Sequence, residues 1–201
     1  MNFTETANLV FDKAVKDYHL TDNVDSKMPN PYKQGSIEYD LYTKNWIDTV
    51  QWHLEDIIRD TKIDPVQALA LKRRIDHSNQ DRTDLVERID SYFYEMYSQV
   101  KPSDGAKINT ESPAWAIDRL SILHVKLYHM KVEVDRKDVT PEHHEKCAKK
   151  LAVLQEQFSD LTSAINDLLN DYQTGNKVMK VYKQMKMYND PELNPVLYGN
   201  K

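Results

Sequence analysis

The sequence predicts an all-α fold: a bundle of five to six mostly long, antiparallel helices in one domain of 201 residues. Three observations carry this. Glycine is scarce at 4 residues and the 8 prolines gather near segment ends, a composition that suits helices better than a turn-rich β fold. Apolar residues recur at three- and four-residue spacing over long stretches, and no strand-like alternation stands out. Charged residues make up 29% of the chain and mean hydropathy is low at −0.73, as expected for long helices with one solvated side.

The elements follow in order. Residues 2–18 predict a first helix with Leu9, Val10 and Ala14 as apolar contacts. Residues 19–37 connect it to the next, punctuated by Pro29 and Pro31, with Met28 and Tyr32 expected to lie against the body. Residues 37–60 predict a second helix with Trp46, Ile47, Val50, Leu54, Ile57 and Ile58 on its apolar side and Asp48, Glu55 and Arg59 on the other. Asp64-Pro65 opens a third helix, as N-cap and first helical residue, running to about Val100 before Pro102 and Gly105. Thr110 or Ser112 caps the fourth, which runs to about Arg136. Its apolar residues cover two arcs, so it is expected to be the central, buried helix. Thr140-Pro141 opens the fifth. Cys147, Leu151, Leu154, Phe158, Leu161, Ile165, Leu168 and Tyr172 form a heptad seam along it, and Gly175 caps its end. A short sixth helix is expected over 176–187, then an extended tail with Pro191 and Pro195. Residues 1–36, 37–175 and 176–201 are thus the entry, core and tail of a single domain.

Composition narrows the function classes. A formal net charge of −5 leaves no basic surplus to neutralise phosphates, so nucleic acid is not an expected partner. The single cysteine, Cys147, permits no intrachain disulfide, the start of the chain has no signal-peptide pattern, and no segment reaches the ~20 apolar residues needed to span a bilayer. The expected compartment is the cytoplasm. No cofactor motif is present.

The most informative stretch is Asp76-His77-Ser78-Asn79-Gln80-Asp81-Arg82-Thr83-Asp84, nine residues without an apolar side chain inside the third helix. At roughly 100° per residue the stripe of Leu71, Ile75, Leu85, Val86, Ile89, Phe93, Met96 and Val100 keeps its phase across the gap, and Ser78 and Arg82 fall within it, with Asn79 on its edge. This phase favours one continuous helix over a break at a Ser78-x-x-Asp81 capping box. A guanidinium aimed at a core needs a partner. Asn45, Thr49, Trp52, His53 and Asp56 share one side of the second helix. Ser121, His124 and Tyr128 line up on the fourth, with Asp118 and His129 on the adjacent face. If these faces converge, Asn45, Trp52, Asp76, Asn79, Arg82, Ser121 and Tyr128 bind a small anionic or sugar-containing ligand. His53 or His124 then stands as a base oriented by Asp56 or Asp118. The plainer alternatives are an ion pair from Arg82 to Asp56, Asp90 or Asp118, hydrogen-bonded core histidines, and packing roles for Trp46 and Trp52.

Metal signals are weaker. Glu142, His143, His144 and Glu145, with Cys147 nearby, are ligand-type residues in a first turn, where acids are favoured by the helix dipole. The ladder Asp81, Asp84, Glu87, Asp90 suggests a metal-dependent all-α nucleotide hydrolase, but it lies on one helix and drifts around it. Lys177, Lys180, Lys183 and Lys186 form a basic stripe, read as a solvated face.

The strings Lys44-Asn45-Trp46-Ile47-Asp48-Thr49-Val50-Gln51-Trp52-His53-Leu54-Glu55-Asp56, Asn79-Gln80-Asp81-Arg82-Thr83-Asp84-Leu85-Val86-Glu87 and Asp118-Arg119-Leu120-Ser121-Ile122-Leu123 resemble the bacterial domain-of-unknown-function 4254 family (DUF4254), over roughly residues 5–190. The resemblance implies a helical, cytoplasmic protein and carries over no catalytic residue. Its association with genes for surface-polysaccharide glycosyltransferases implies a sugar-related role. Two readings then compete. A ligand site on helices two to four, for a phosphorylated sugar or nucleotide-sugar of surface-polysaccharide metabolism, requires an open cavity at Arg82, Asp118 and His53. A non-catalytic helical adaptor, including a homo-oligomer through helix five, requires those groups closed on one another and an exposed apolar stripe elsewhere.

Overall fold

The computed structural model describes residues 2–185 and 192–193. Among these described residues five helices make up the fold: α1 Phe3–Tyr18, α2 Ile37–Ile58, α3 Pro65–Met96, α4 Pro113–Asp135 and α5 Pro141–Gln173. Each starts on a side chain that accepts from its own first turn. Asn2 forms a capping box with Glu5, and Ser36, Asp64, Ser112 and Thr140 cap α2 to α5. Proline follows the cap in α3, α4 and α5, where its missing N–H costs nothing. No helix among the described residues is long and apolar enough to cross a membrane.

The helices form a bundle around α4, which touches the other four. Ile117, Leu120, Leu123, Val125 and Leu127 are buried on different sides of it, as its two apolar arcs require. α1 packs on α2, α4 and α5 through Ala7, Val10, Phe11, Ala14 and Tyr18, and Met28 and Tyr32 of the following connection rest on the same core. α3 is continuous through residues 76–84 and spans about 48 Å at 1.5 Å per residue. The seam of α5 packs along α4, most deeply at Cys147, Ile165, Leu168 and Tyr172.

Several expectations are corrected. Leu9, Ile57 and Met96 lie in the open, because α1 turns Val10 and Phe11 inward and the ends of α2 and α3 extend past the cover of their neighbours. α3 stops at Met96, short of Val100. The buried side of α2 is largely polar, and Asp48, expected on the solvent side, is inside it. No sixth helix forms over residues 176–185: the chain leaves α5 at Gly175 and pairs β2 (Lys177–Val178) in parallel with β1 (Lys107–Ile108), a minimal strand pair that the periodicity did not show. A helix there would stack Lys177, Lys180 and Lys183 at three-residue spacing, where like charges destabilise it. Pro191, Pro195 and Lys186 lie outside the described residues.

Gly175 holds this exit. Its φ is +77°, and a Cβ built on it would sit 2.7 Å from the carbonyl oxygen of Lys101, while its own carbonyl accepts from Ser103 N at 2.9 Å. Gly175→Ala combines a left-handed backbone with a backbone clash and is expected to cost about 2 kcal/mol or more. Urea unfolding followed by circular dichroism measures this, and a loss within experimental error would show the loop to be pliable.

Candidate functional site

The polar face of α2 is set by its own spacing. Leu41, Lys44, Asn45, Asp48, Thr49 and Trp52 recur in the pattern i, i+3, i+4, i+7, i+8, i+11, so they share the side that meets α3 and α4. At its centre lies a quartet of two cations and two carboxylates. Lys44, with no exposed surface, contacts Asp48 one turn on and reaches Asp118 Oδ1 of α4 at 2.9 Å. Arg82 of α3 donates from Nη2 to Asp118 Oδ1 at 3.2 Å, and its Nε lies 3.3 Å from Asp48 Oδ1 without the alignment of a hydrogen bond. Ser121 Oγ donates to Asp48 Oδ2 at 2.6 Å, and Asn45 Nδ2 donates to both the Ser121 carbonyl and its Oγ at 3.1 Å. Burial pushes the Asp48 carboxyl above its ordinary value, against the opposing pull of Lys44 and Arg82. The charges cancel, so the quartet attracts no counter-ion by net charge alone.

Arg82 is the member that reaches solvent. Its side chain is 24% exposed, and it borders a cavity of about 270 Å³ together with Asp48, Gln51, Trp52, Asp56 and Arg59. Gln51 ties α2 to α3, donating from Nε2 to Asn79 Oδ1 at 2.9 Å and accepting from Ser78 Oγ at 3.1 Å. The cavity is smaller than the roughly 300–1,000 Å³ of drug-sized sites. A larger groove of about 950 Å³ lies across α4, between α1 and α5, where Leu9, Leu127, Val132 and Phe158 give it an apolar lining. It shares no residue with the quartet.

A second constellation adjoins the first through Trp52. His19 at the end of α1, His53 on α2 and His129 on α4 bring ring nitrogens within 4.8 Å of one another. Burial lowers the pKa of His53 and of His129, the latter to about 4, so both rings are neutral at pH 7. His53 lies in this cluster and Asp118 is buried in the quartet, so the open cavity expected at Arg82, Asp118 and His53 forms at Arg82 without the other two.

The site residues expected from sequence divide accordingly. Asn45, Arg82, Asp118 and Ser121 come together in the quartet, with Asn79 bonded to Gln51 beside it and Trp52 on the cavity wall. Tyr128 stacks on His19 at 3.9 Å. Asp56 sits on the rim, paired with Arg59 at 3.4 Å. Asp76 points outward and pairs with Lys72, because it is one residue, about 100°, past buried Ile75. His124 faces α1 and α5 instead, wedged between Phe11 and Phe158 with Nε2 3.0 Å from Asn8 Oδ1. The expected pairing of a histidine base with Asp118 does not form, since Asp118 is engaged by Lys44 and Arg82.

Near the start of α5, His143 meets Glu133 at 3.1 Å and Cys147 Sγ at 3.3 Å, while Glu142 is exposed and Glu145 pairs with Lys149, so the ligand-type residues of that turn do not converge as a set. The acidic ladder also disperses. Asp81 and Asp84 face outward, Glu87 accepts from Gln184 N, and Asp90 is buried, accepting from Ser112 Oγ and Ala114 N at the start of α4. Sequence reasoning missed Lys44, Asp48, Gln51 and His19. For the first two the usable signal was their spacing in phase with Leu41 and Asn45.

Residues 38–181, more than half of the chain, match the model of a protein family described as Protein of unknown function (DUF4254). No curated protein and no solved structure matches.

Proposed function

The chain belongs to the DUF4254 family, and we propose that it is a small-molecule-binding helical protein whose site is the cavity at Arg82 between α2, α3 and α4. One observation carries this reading: Arg82 is anchored by Asp118 on one edge of its guanidinium while a cavity opens beside it. A pre-anchored arginine binds an oxyanion with little ordering cost. Arg59 on the rim adds a second cation, Trp52 supplies an apolar wall, and Gln51, Glu55 and Asp56 supply hydroxyl partners. A compact phosphorylated sugar suits this combination. A nucleotide-sugar would leave most of its length outside so small a cavity.

The test is a thermal-shift and calorimetric screen with hexose phosphates, nucleotide-sugars and inorganic phosphate. A sugar phosphate is expected to stabilise the native chain, by about 2.7 kcal/mol at a hundredfold excess over Kd. Arg82→Lys keeps the charge but loses the planar fork, and affinity is expected to fall about 10-fold or more. Equal binding by Arg82→Lys would overturn the assignment. No shift with any compound would remove the ligand reading and leave the helical adaptor. That alternative is favoured by an apolar groove of about 610 Å³ walled by Trp52, Met130, Val153 and Leu154.

A further inference from the structure

We propose that His19, His53 and His129 form a binding site for a divalent transition-metal ion of the zinc class, with Asp22 as a further ligand. The site is distinct from the Arg82 cavity and does not depend on it. His19 Nε2 and His53 Nε2 are 3.4 Å apart. Two imidazole nitrogens at about 2.0–2.1 Å from one tetrahedral zinc lie roughly 3.3–3.4 Å apart, so this pair already has the spacing of two ligands. His19 Nδ1 is 2.6 Å from the Val15 carbonyl. A carbonyl can only accept, so Nδ1 is the donor there and Nε2 is the nitrogen turned to the cluster, the arrangement that orients metal-binding histidines.

Each ring is also fixed by an aromatic face. His19 stacks on Tyr128 at 3.9 Å, His53 on Tyr18 at 5.1 Å and His129 on Trp52 at 4.8 Å, with interplanar angles of 24°, 18° and 8°. Three imidazoles, from the end of α1 and from α2 and α4, are thereby held with nitrogens converging. His129 Nε2 is sealed from solvent and has no hydrogen-bond partner among the described residues. A buried polar nitrogen left in that state is costly, which marks this ring as one that lacks a partner.

Asp22 supplies the remaining charge. It follows α1 with φ +46°, a left-handed conformation uncommon outside glycine, held by Asp22 N donating to the Tyr18 carbonyl at 3.0 Å. This turns Oδ1 to within 3.7 Å of His53 Nε2. With its side chain 62% exposed, it leaves an open side through which an ion or a water enters. Three imidazoles and one carboxylate or water match zinc, and cobalt as its spectroscopic substitute, better than the oxygen-rich shells of calcium or magnesium.

The test uses the whole chain, stripped with a chelator and titrated with Zn²⁺ by calorimetry and with Co²⁺ by absorption. One equivalent is expected to bind, and Co²⁺ is expected to give intense tetrahedral visible bands without thiolate-to-metal charge transfer. His53→Gln and His129→Gln, with helix content checked by circular dichroism, are expected to lose more than about 100-fold in affinity, beyond what losing an outer-shell partner costs. Asp22→Asn should lose less, and His143→Gln nothing. A thiolate charge-transfer band, or loss in His143→Gln with retention in His53→Gln, would put the ion at Glu133, His143 and Cys147 and overturn the proposal. So would the absence of stoichiometric binding. The cobalt spectrum of the native chain decides the matter even if a variant fails to fold.

Discussion

Lys44→Met is expected to destabilise the protein by roughly 3–5 kcal/mol, the loss that follows when one partner of a buried ion pair is removed. The ammonium has no exposed surface and lies between Asp48 and Asp118, both nearly buried themselves. Methionine fills the same volume, so packing is largely kept and the effect reports charge. Without Lys44, two carboxylates share Arg82 alone, at 3.3 Å and 3.2 Å. Asp48, already pushed up by burial, is then the group that takes a proton. The deficit should therefore be largest at neutral pH and shrink as the pH falls, because protonation removes the uncompensated charge. Lys44→Met combined with Asp48→Asn removes one charge of each sign and leaves the Arg82–Asp118 pair. The double variant is expected to recover a large part of the loss, with an interaction energy of about 1–3 kcal/mol. Urea midpoints of the four proteins measure the cycle. A loss below about 1 kcal/mol for Lys44→Met alone is what an exposed ion pair would show, and it would mean that the quartet is hydrated.

The quartet also shows what could be read from the chain alone. Cap-then-proline pairs at Asp64-Pro65 and Thr140-Pro141 marked two helix starts, and of the two caps expected near Pro113, Thr110 and Ser112, it is Ser112 that satisfies the amide of its own first turn. The phase kept across residues 76–84 aimed Arg82 inward, and it does meet α2 and α4. Local spacing fixed these outcomes. Lys44 and Asp48 were not legible in the same way. Lys13–Asp17 and Lys72–Asp76 have the same four-residue spacing, yet the first has an exposed lysine on a half-buried aspartate and the second is a solvated surface pair. What separates Lys44–Asp48 from them is that Asp118 and Ser121 of α4 lie against it, a tertiary fact that the phase with Leu41 and Asn45 hints at but does not fix.

The histidine cluster was hidden for the same reason. His19, His53 and His129 share no motif and meet only because α1, α2 and α4 pack together. Helical phase also misled at two places. Asp76 is one position past a core residue and His124 lies in line with Ser121, yet the first faces solvent and the second faces α1. On the central helix neighbouring positions address different partners, so residues in one line need not share one site.

His124 gives the second large effect, a loss of stability in mild acid. Its ring is packed edge-on to Phe11 and Phe158 at 5.5 Å and 5.4 Å, with Nε2 3.0 Å from Asn8 Oδ1. Burial lowers its pKa from 6.5 to about 4. Lys131 adds slightly to this, and Asp12 opposes it. Above the unfolded value the ring is neutral in both states and contributes no pH dependence. As the pH falls from about 6.5 to about 4, the unfolded chain takes up a proton that the folded chain refuses, so stability is lost at up to about 1.4 kcal/mol per pH unit, on the order of 3 kcal/mol in all. Below that range both states are protonated and the loss from this residue stops growing. His124→Gln keeps a donor for Asn8 and removes the titration. It should be less stable than the native chain at neutral pH, through lost ring packing, and should close that gap as the pH falls. Urea midpoints of the two proteins at neutral pH and near pH 5 separate His124 from other acid-sensitive groups, such as His129, because those are common to both. If the gap is the same at both pH values, the ring is protonated inside the fold, and its packing between Phe11 and Phe158 does not exclude charge.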